Sequence, residues 1–579
     1  MNRSKTTLKI AHINDTHSYF DSNPLSLTLA IDDNPAVKAY VNCGGFSRIS
    51  QRVKQLRAQS VDSGNEFLFL HAGDCFQGTL YFSLYKGVAN AEMLNLIGVD
   101  MMTVGNHELD MGNEPITQFI ANINFPFLAG NWDISKESPS KPLRLNDQKN
   151  LYPYQPETAT AKYIVKKVGN SEVALFGLSV DQMSLLANPD PDTPFVLSTQ
   201  VAINTVNAIR EKGINKIILL SHLGYQGDTQ LAESVDGISL IIGGHTHILQ
   251  GDFSDIGMAV NDPYGIKVNQ THIVQSGFHS MALGHCDIIF NDDGTIDELV
   301  GKNELLLGGR LCVDATFESN IHEDIYQKVK DKLFAHPNVI RCKRDPEVEA
   351  LLNTKYRPDV QALQKIVIGH LDTDLRHVRI PDERGPSEIA PLVTDSFLWK
   401  VRQEGHKVDF AIHNAGGVRT SLTRGKITIS DITGQVLPFA VPIAVYKVKG
   451  RHIRLALEGA INNATNNGVE GTGSGSYPYV SELSFVYDAK REQNKRIIKL
   501  KIWQDQRWIL VDDDEVYTGV SSAYTIKGKE GYQAFSNIID DANVLTHSMA
   551  DCFIDYIKNS GALNKPSFYL NQMVNNQSS

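Results

Sequence analysis

Met101-Met102-Thr103-Val104-Gly105-Asn106-His107-Glu108 runs from a short apolar strand straight into an amide, an imidazole and a carboxylate. Other apolar runs in the first half end the same way. Leu8 to Ile13 leads into Asn14-Asp15-Thr16-His17, and Phe67 to His71 into Ala72-Gly73-Asp74. Lys216 to Leu220 leads into Ser221-His222, and Ile238 to Ile242 into Gly243-Gly244-His245-Thr246-His247. Val173 to Leu178 reads as a further strand, and segments such as Gly45 to Ala58 and Thr199 to Lys212 carry the three-and-four spacing of surface helices. Alternating strands and helices predict a layered α/β domain, and the carboxyl ends of its strands converge on one crevice, so these polar residues can meet.

A lone Asp-x-His, or a lone His after a strand, is more commonly a cap or a hydrogen-bonded polar group than a ligand. Five such strand ends of compatible chemistry point to metal. Imidazole nitrogen with carboxylate or amide oxygen, and no thiolate, suits Zn²⁺, Mn²⁺ or Fe held for hydrolysis. Asp15, His17, Asp74, Asn106, His222, His245 and His247 are too many for one ion. Two ions about 3.5 to 4 Å apart, with one carboxylate bridging, would use them all.

Length and charge bound the rest. At 579 residues the chain needs at least two cores. Its net charge of -11 carries no Lys/Arg cluster, which excludes polymeric nucleic acid and an anionic membrane surface as partners. No run of about 18 apolar residues could span a bilayer. The start of the chain shows no apolar h-region or small-residue cleavage site, and Cys43, Cys75, Cys286, Cys312, Cys342 and Cys552 show no paired spacing. A cytoplasmic monomer or weak dimer with free thiols is expected, or a periplasmic or extracellular protein if a leader has been removed.

Asn291 to Gly294 reads as a hairpin turn, and Phe317 to Phe334 as a polar helix ending near His336-Pro337. The α/β alternation resumes from about residue 360, with a helix over Ile389 to Val401, strands around Phe410, Val445, Phe485 and Val516, and a surface loop over Gly468 to Gly475. The expected domains are therefore residues 1–315 and 357–579, with 316–356 as a connecting helix and hinge.

The motifs, in this order, resemble the calcineurin-like metallophosphoesterases. Ala72-Gly-Asp-Cys-Phe-Gln-Gly-Thr79 and Gly105-Asn-His-Glu-Leu-Asp-Met-Gly112 are similar to the 5′-nucleotidase and UDP-sugar hydrolase branch. The resemblance implies a four-layer α/β/β/α sandwich followed by a C-terminal α/β substrate-binding domain. It implies that Asp15, His17 and His247 hold one divalent ion (Zn, Mn, Co or Fe), that Asn106, His222 and His245 hold the other, and that Asp74 bridges them. His107 resembles the family's catalytic histidine and Asp110 its orienting partner; alone, Asp110 also reads as a helix N-cap.

In the second half, Asn414-Ala-Gly416-Gly417-Val-Arg419 follows an apolar strand. Its glycines let backbone N–H groups approach an anion that Arg419 could pair, although a plain strand-to-helix turn fits too. Phe439 and Tyr524 precede turn residues and could stack on a base or pack in a core. The resemblance implies the binding roles: Asn414, Gly416, Gly417 and Arg419 as the substrate loop, Phe439 and Tyr524 as the base clamp, and Glu530 on the ribose hydroxyls.

Three departures stand out. Glu388-Ile-Ala-Pro391 replaces the branch's Asn-x-Gly-Asn, and Arg376, Arg379 and Arg384 fall out of register with its phosphate-binding arginines. Pro438-Phe-Ala-Val-Pro442 lacks the usual Asn, and no secretory leader is evident.

The expected activity is hydrolysis of nucleoside 5′-monophosphates to nucleoside and phosphate by a metal-activated water, with pyrophosphate cleavage of UDP-sugars as an extension. The rivals are a 2′,3′-cyclic nucleotide phosphodiesterase with 3′-nucleotidase activity and a nucleotide- or metal-binding protein without turnover. The complete donor set with His107 and Asp110 argues against the last. In the family the nucleotide is carried to the metals by rotation about the connecting helix, here Phe317 to Asn338.

Overall fold

A computed structural model of the chain describes residues 6–32, 34–313, 322–439, 441–468, 473–528, 530–565 and 573–575. It divides into two compact units, Met1–Pro358 and Asp359–Ser579.

In the first unit, the strand Thr6–Ile13 lies inside an eleven-stranded sheet. On one side Glu66–His71, Met101–Thr103 and Phe127–Ala129 follow in parallel; on the other, Ala282–Phe290 pairs antiparallel with it and Ile296–Val313 antiparallel with Ala282–Phe290. A six-stranded sheet holds Ser171–Ser179, Lys216–His222 and Leu240–Ile242 in parallel. The two sheets meet face to face, with Leu8, Ile10, Leu70 and Met101 in one core with Leu175, Ile218, Leu220 and Ile242. Helices Ser198–Glu211 and Tyr225–Ser234 cover the outer face of the second sheet through Val201, Val206, Ile209 and Leu231. Helix Phe46–Asp62 packs on Thr6–Ile13 and Glu66–His71. This is the four-layer α/β/β/α arrangement. It explains why Lys216–His222 is buried at every residue: a parallel strand covered on both faces has no solvent side.

Strands and helices fall within a few residues of their expected places, and Asn291 to Gly294 joins the strands Ala282–Phe290 and Ile296–Val313. The hairpin Asn23–Ile31 and Asn34–Cys43 was not expected. It buries Leu27, Leu29, Val37, Ala39 and Val41 at the sheet edge. The helix expected from Phe317 spans His322–Ala335, residues 317–321 lying outside the described residues. Its Val329 and Leu333 are fully buried with Leu27, Leu29, Leu305 and Leu307, so this segment belongs to the core of the first unit, which extends to Pro358.

One ion pair ties the helix layer to the sheet. Buried Glu304 accepts from Arg52 Nε at 2.7 Å and Nη2 at 3.0 Å, with His285 Nε2 at 3.3 Å and Lys302 Nζ at 3.4 Å. Burial would raise its pKa, but His285 and Arg52 outweigh that and hold it at about 2. A carboxyl depressed from 4.5 contributes stability that is complete above pH 4.5 and lost as pH falls toward 2. Glu304→Gln should therefore cost roughly 3 kcal/mol at pH 7. Urea unfolding should show the gap from wild type narrowing at pH 3; a pH-independent gap would contradict the ion pair.

In the second unit a five-stranded sheet runs in the order Pro478–Ser481, Phe410–Asn414, Val516–Ser522, Pro442–Lys449, Ile539–Ser548. Helices Ala390–Gln403, Gly450–Thr465 and Met549–Ser560 share its core, which includes Val393, Phe397, Phe410, Ile412, Val520 and Ile557. Within the expected Gly468 to Gly475 loop, residues 469–472 lie outside the described residues, and Gly475 abuts Gly416. Among the described residues no helix is long and apolar enough to cross a membrane.

Candidate active site

The strand ends of the first unit deliver their polar residues on a backbone that side chains rarely adopt. Asp15 (φ 49°), His17 (46°), Asp74 (59°), His245 (74°) and His247 (60°) all lie in the left-handed region. Each costs roughly 1–2 kcal/mol, and such cost clusters where geometry serves function. Tertiary hydrogen bonds hold it. Asp15 N donates to Gly73 O at 2.9 Å, His17 N to Asp74 O at 3.1 Å, and His245 N to the Asp15 carboxylate at 3.0 Å. Asn14 Nδ2 donates to Asp15 Oδ2 and Gly277 O, both at 2.6 Å, locking the first loop to the last. Gly105 is obligatory here, because a Cβ would sit 2.1 Å from Asp74 Oδ1.

Two groups of donors result. Asp15, His17 and His247 offer ligand atoms within 4.8 Å of one another, and so do Asp74, His222 and His245. His17 Nε2 is 3.3 Å from His247 Nε2, and His247 Nε2 is 3.3 Å from Asp15 Oδ1. Asn106 Oδ1 joins the second group at 2.8 Å from His245 Nδ1.

The donors are prepared for cations. His17 Nδ1 lies 3.0 Å from Phe76 O and His222 Nδ1 2.7 Å from Ala72 O, which turns both Nε2 atoms inward. Burial lowers His17 and His245 to about 4, leaving neutral imidazoles as ligation requires. Burial would raise Asp74, but His222 and His107 hold it well below the usual carboxylate range. His222 Nε2, fully buried and 3.0 Å from Asp74 Oδ2, has no aligned hydrogen-bond partner among the described residues. A fully buried imidazole nitrogen against a carboxylate, among oxygen and imidazole donors without thiolate, fits divalent ions.

Beside this centre His107 N donates to Asp74 Oδ1 at 2.8 Å, and His107 Nδ1 lies 2.7 Å from Asp110 Oδ2. Gln77 Nε2 donates to the same Asp110 oxygen at 2.9 Å. Burial opposes charge on His107, but Asp110 and then Asp74 prevail and push its pKa up to about 10, so the ring is an imidazolium at neutral pH.

Two features escaped the sequence reading. The Glu108 carboxylate accepts four backbone N–H groups: Asp74 at 2.9 Å and Gly105 at 2.7 Å on Oε2, Cys75 at 2.7 Å and Phe76 at 3.1 Å on Oε1. Its place in Gly105-Asn106-His107-Glu108 was the available signal. Phe278 and His279 also flank the first group, with Phe278 stacked on His247 at 4.9 Å. Nothing local in the sequence marks them.

In the second unit, Asn414 Nδ2 donates to Gly475 O at 3.4 Å and Asn414 Oδ1 accepts from Thr525 Oγ1 at 3.2 Å. Arg419 lies with Cζ 5.6 Å from the Phe439 ring centre and donates to Gly416 O at 3.3 Å. Gly417 packs so tightly on His413 that a Cβ would lie 2.3 Å from its ring. Burial and a hydrogen bond to Glu530 raise Tyr524. Arg379 acts on Glu530, and burial, Arg379 and Arg419 together lower His377 to about 4. Phe439 thus lies beside Arg419, and Tyr524 beside Glu530, which Arg379 also influences. Arg376 is structural: Nη1 grips Asp382 at 2.9 and 2.7 Å, while Glu388 accepts its backbone N–H at 2.8 Å.

Residues 8–249 match the calcineurin-like phosphoesterase family and residues 367–537 the 5′-nucleotidase C-terminal domain. The chain is 29% identical over 555 residues to a probable 5′-nucleotidase of Treponema pallidum, spanning 92% of this chain and 88% of that protein. It is 27% identical over 552 residues to the NAD 5′-nucleotidase of Haemophilus influenzae, spanning 92% and 86%. The solved 5′-nucleotidase precursor of Thermus thermophilus superposes with a TM-score of 0.69 at 27% identity, covering 99% of this chain and all of that one (100%). Both matched domains, in this order, place the chain in the 5′-nucleotidase branch of the calcineurin-like metallophosphoesterases, dimetal enzymes that hydrolyse nucleotide phosphoesters.

Proposed function

We propose that the chain hydrolyses nucleoside 5′-monophosphates to nucleoside and phosphate, with Asp15, His17 and His247 holding one ion, Asn106, His222 and His245 the other, and Asp74 between them. The observation that carries this is the convergence of both donor groups beside the His107–Asp110 pair. When bound, the two ions supply Lewis-acid neutralisation of the phosphoryl oxygens and activate the attacking water. His107, held as an imidazolium by Asp110, donates to the oxygen on which charge develops. Gln77 fixes Asp110, and Glu108 fixes the loop that carries Asp74.

In the second unit Asn414, Gly416, Gly417 and Arg419 form the substrate loop, Phe439 and Tyr524 clamp the base, and Glu530 takes the ribose hydroxyls. The division of labour follows the two units, with Met1–Pro358 carrying the phosphoryl chemistry. All six cysteines are unpaired and five are buried, which supports a reducing compartment.

The test is phosphate release by metal-loaded protein from 5′-, 3′- and 2′,3′-cyclic nucleotides and UDP-glucose. Preference for 5′-monophosphates is expected; preference for 3′- or cyclic substrates would overturn the specificity and leave the metal centre standing. Phe439→Ala should raise KM for nucleotides about tenfold, from the loss of base stacking, and leave that of a small aryl phosphate unchanged. Equal effects on both would remove the clamp.

A further inference from the structure

The turn Gly277 to Ser280 at the rim of the metal groups carries backbone strain. His279 (φ 53°) and Ser280 (φ 58°) are consecutive non-glycine residues in the left-handed region, at roughly 1–2 kcal/mol each. The turn is pinned on both sides. His279 N donates to Asp15 O at 2.8 Å, Asn23 Nδ2 to His279 O at 2.9 Å, and Gly45 N to Ser280 O at 3.1 Å. All of these bonds use the backbone, so glycine would form them without strain.

What the strained residue adds is an imidazole. The half-buried His279 ring lies face to face with Tyr19 at 3.9 Å and 20°, and edge-on to Phe278 at 4.6 Å. Its centre is 5.7 Å from that of His17 and 6.1 Å from that of His247. Asp15, His17 and His247, with Asp74 from the neighbouring group, would supply four protein donors to an ion on that side. A further imidazole at this range, propped by an aromatic stack, is placed to meet what the ion binds.

We propose that His279, supported by Tyr19, is a phosphoryl-contacting residue that donates a hydrogen bond to a phosphoryl oxygen of the substrate at the Asp15–His17–His247 side of the centre. The assignment rests on the phosphohydrolase reading above. It adds a second imidazole donor, distinct from His107 and its hydrogen bond to Asp110.

The probe is inorganic phosphate, titrated calorimetrically into metal-loaded protein, with metal content measured on the same samples. His279→Gly relieves the backbone strain while giving up the Tyr19 stack, so two ions per chain on a folded protein are expected, with phosphate binding weakened roughly tenfold to a hundredfold. His279→Asn, which tolerates the left-handed backbone and keeps an N–H donor, should recover part of the loss. Tyr19→Ala should weaken binding in the same direction, and Tyr19→Phe, which keeps the stack, should not. Equal phosphate affinity in wild type and His279→Gly, both holding two ions, would overturn the proposal while leaving the hydrolase reading intact. Loss of an ion from His279→Gly would make the ring a metal ligand and would also overturn it. Failure of the metal-loaded wild type to release phosphate from any nucleotide would instead strike the reading beneath.

Discussion

Glu108→Gln should empty the metal centre of a chain that still folds. Each Glu108 oxygen accepts two backbone N–H groups, and those donors belong to the loop carrying Asp74 and to the one carrying Asn106. Glutamine keeps one acceptor oxygen and turns an NH₂ toward two N–H donors. Two hydrogen bonds are lost, and two buried N–H donors are left unsatisfied at about 1–3 kcal/mol each. That cost falls on a loop whose Asp74 is already in a left-handed conformation. We expect metal content to fall below one ion per chain and phosphate release to drop at least a hundredfold, on the order of 3 kcal/mol in the barrier. The circular dichroism spectrum should be retained, because the sheets do not depend on this carboxylate. Full metal content with an unchanged rate would show that the loops hold themselves.

His107→Ala should do the opposite, leaving the ions and removing the rate. His107 lies outside both donor groups; it meets them through a backbone N–H on Asp74, which alanine retains, and through an edge-on ring contact with His17 at 5.2 Å. Its side chain supplies the charged donor, and removing such a group typically costs a factor of about 10² to 10⁴. Turnover should fall by that factor with two ions still bound, and Asp110→Asn should give a smaller loss by weakening the imidazolium. Unchanged turnover in His107→Ala would overturn its role.

What was legible in the sequence was local. The strands ending in Asp15, Asp74, Asn106, His222 and His245 announce themselves because apolar periodicity and its abrupt polar termination lie within a few residues of each other. Sheet topology then does the gathering, since the carboxyl ends of parallel strands share an edge. Glu108 was in plain view, yet its partners are backbone N–H groups more than thirty residues away, Gly105 excepted, and a backbone partner leaves no mark on composition. Phe278 and His279 follow a strand that reads like any other, and their meeting with Tyr19 and His247 is wholly tertiary. The hairpin Asn23–Cys43 was missed because an edge hairpin buries one face, and its apolar residues are diluted by polar ones. In the second unit Arg379 and Arg376 look alike in sequence, and only the fold separates them, one beside Glu530 and the other clamped to Asp382.

Nucleotide hydrolysis should track the occupancy of the two ions. The direct measurement is to strip the protein with a chelator, add back Mn²⁺ in counted equivalents, and follow phosphate release from a nucleoside 5′-monophosphate alongside bound metal. Release absent in the stripped protein and restored as occupancy rises to two per chain is the predicted result. Equal release from stripped and loaded protein, or two bound ions with no release, would contradict it.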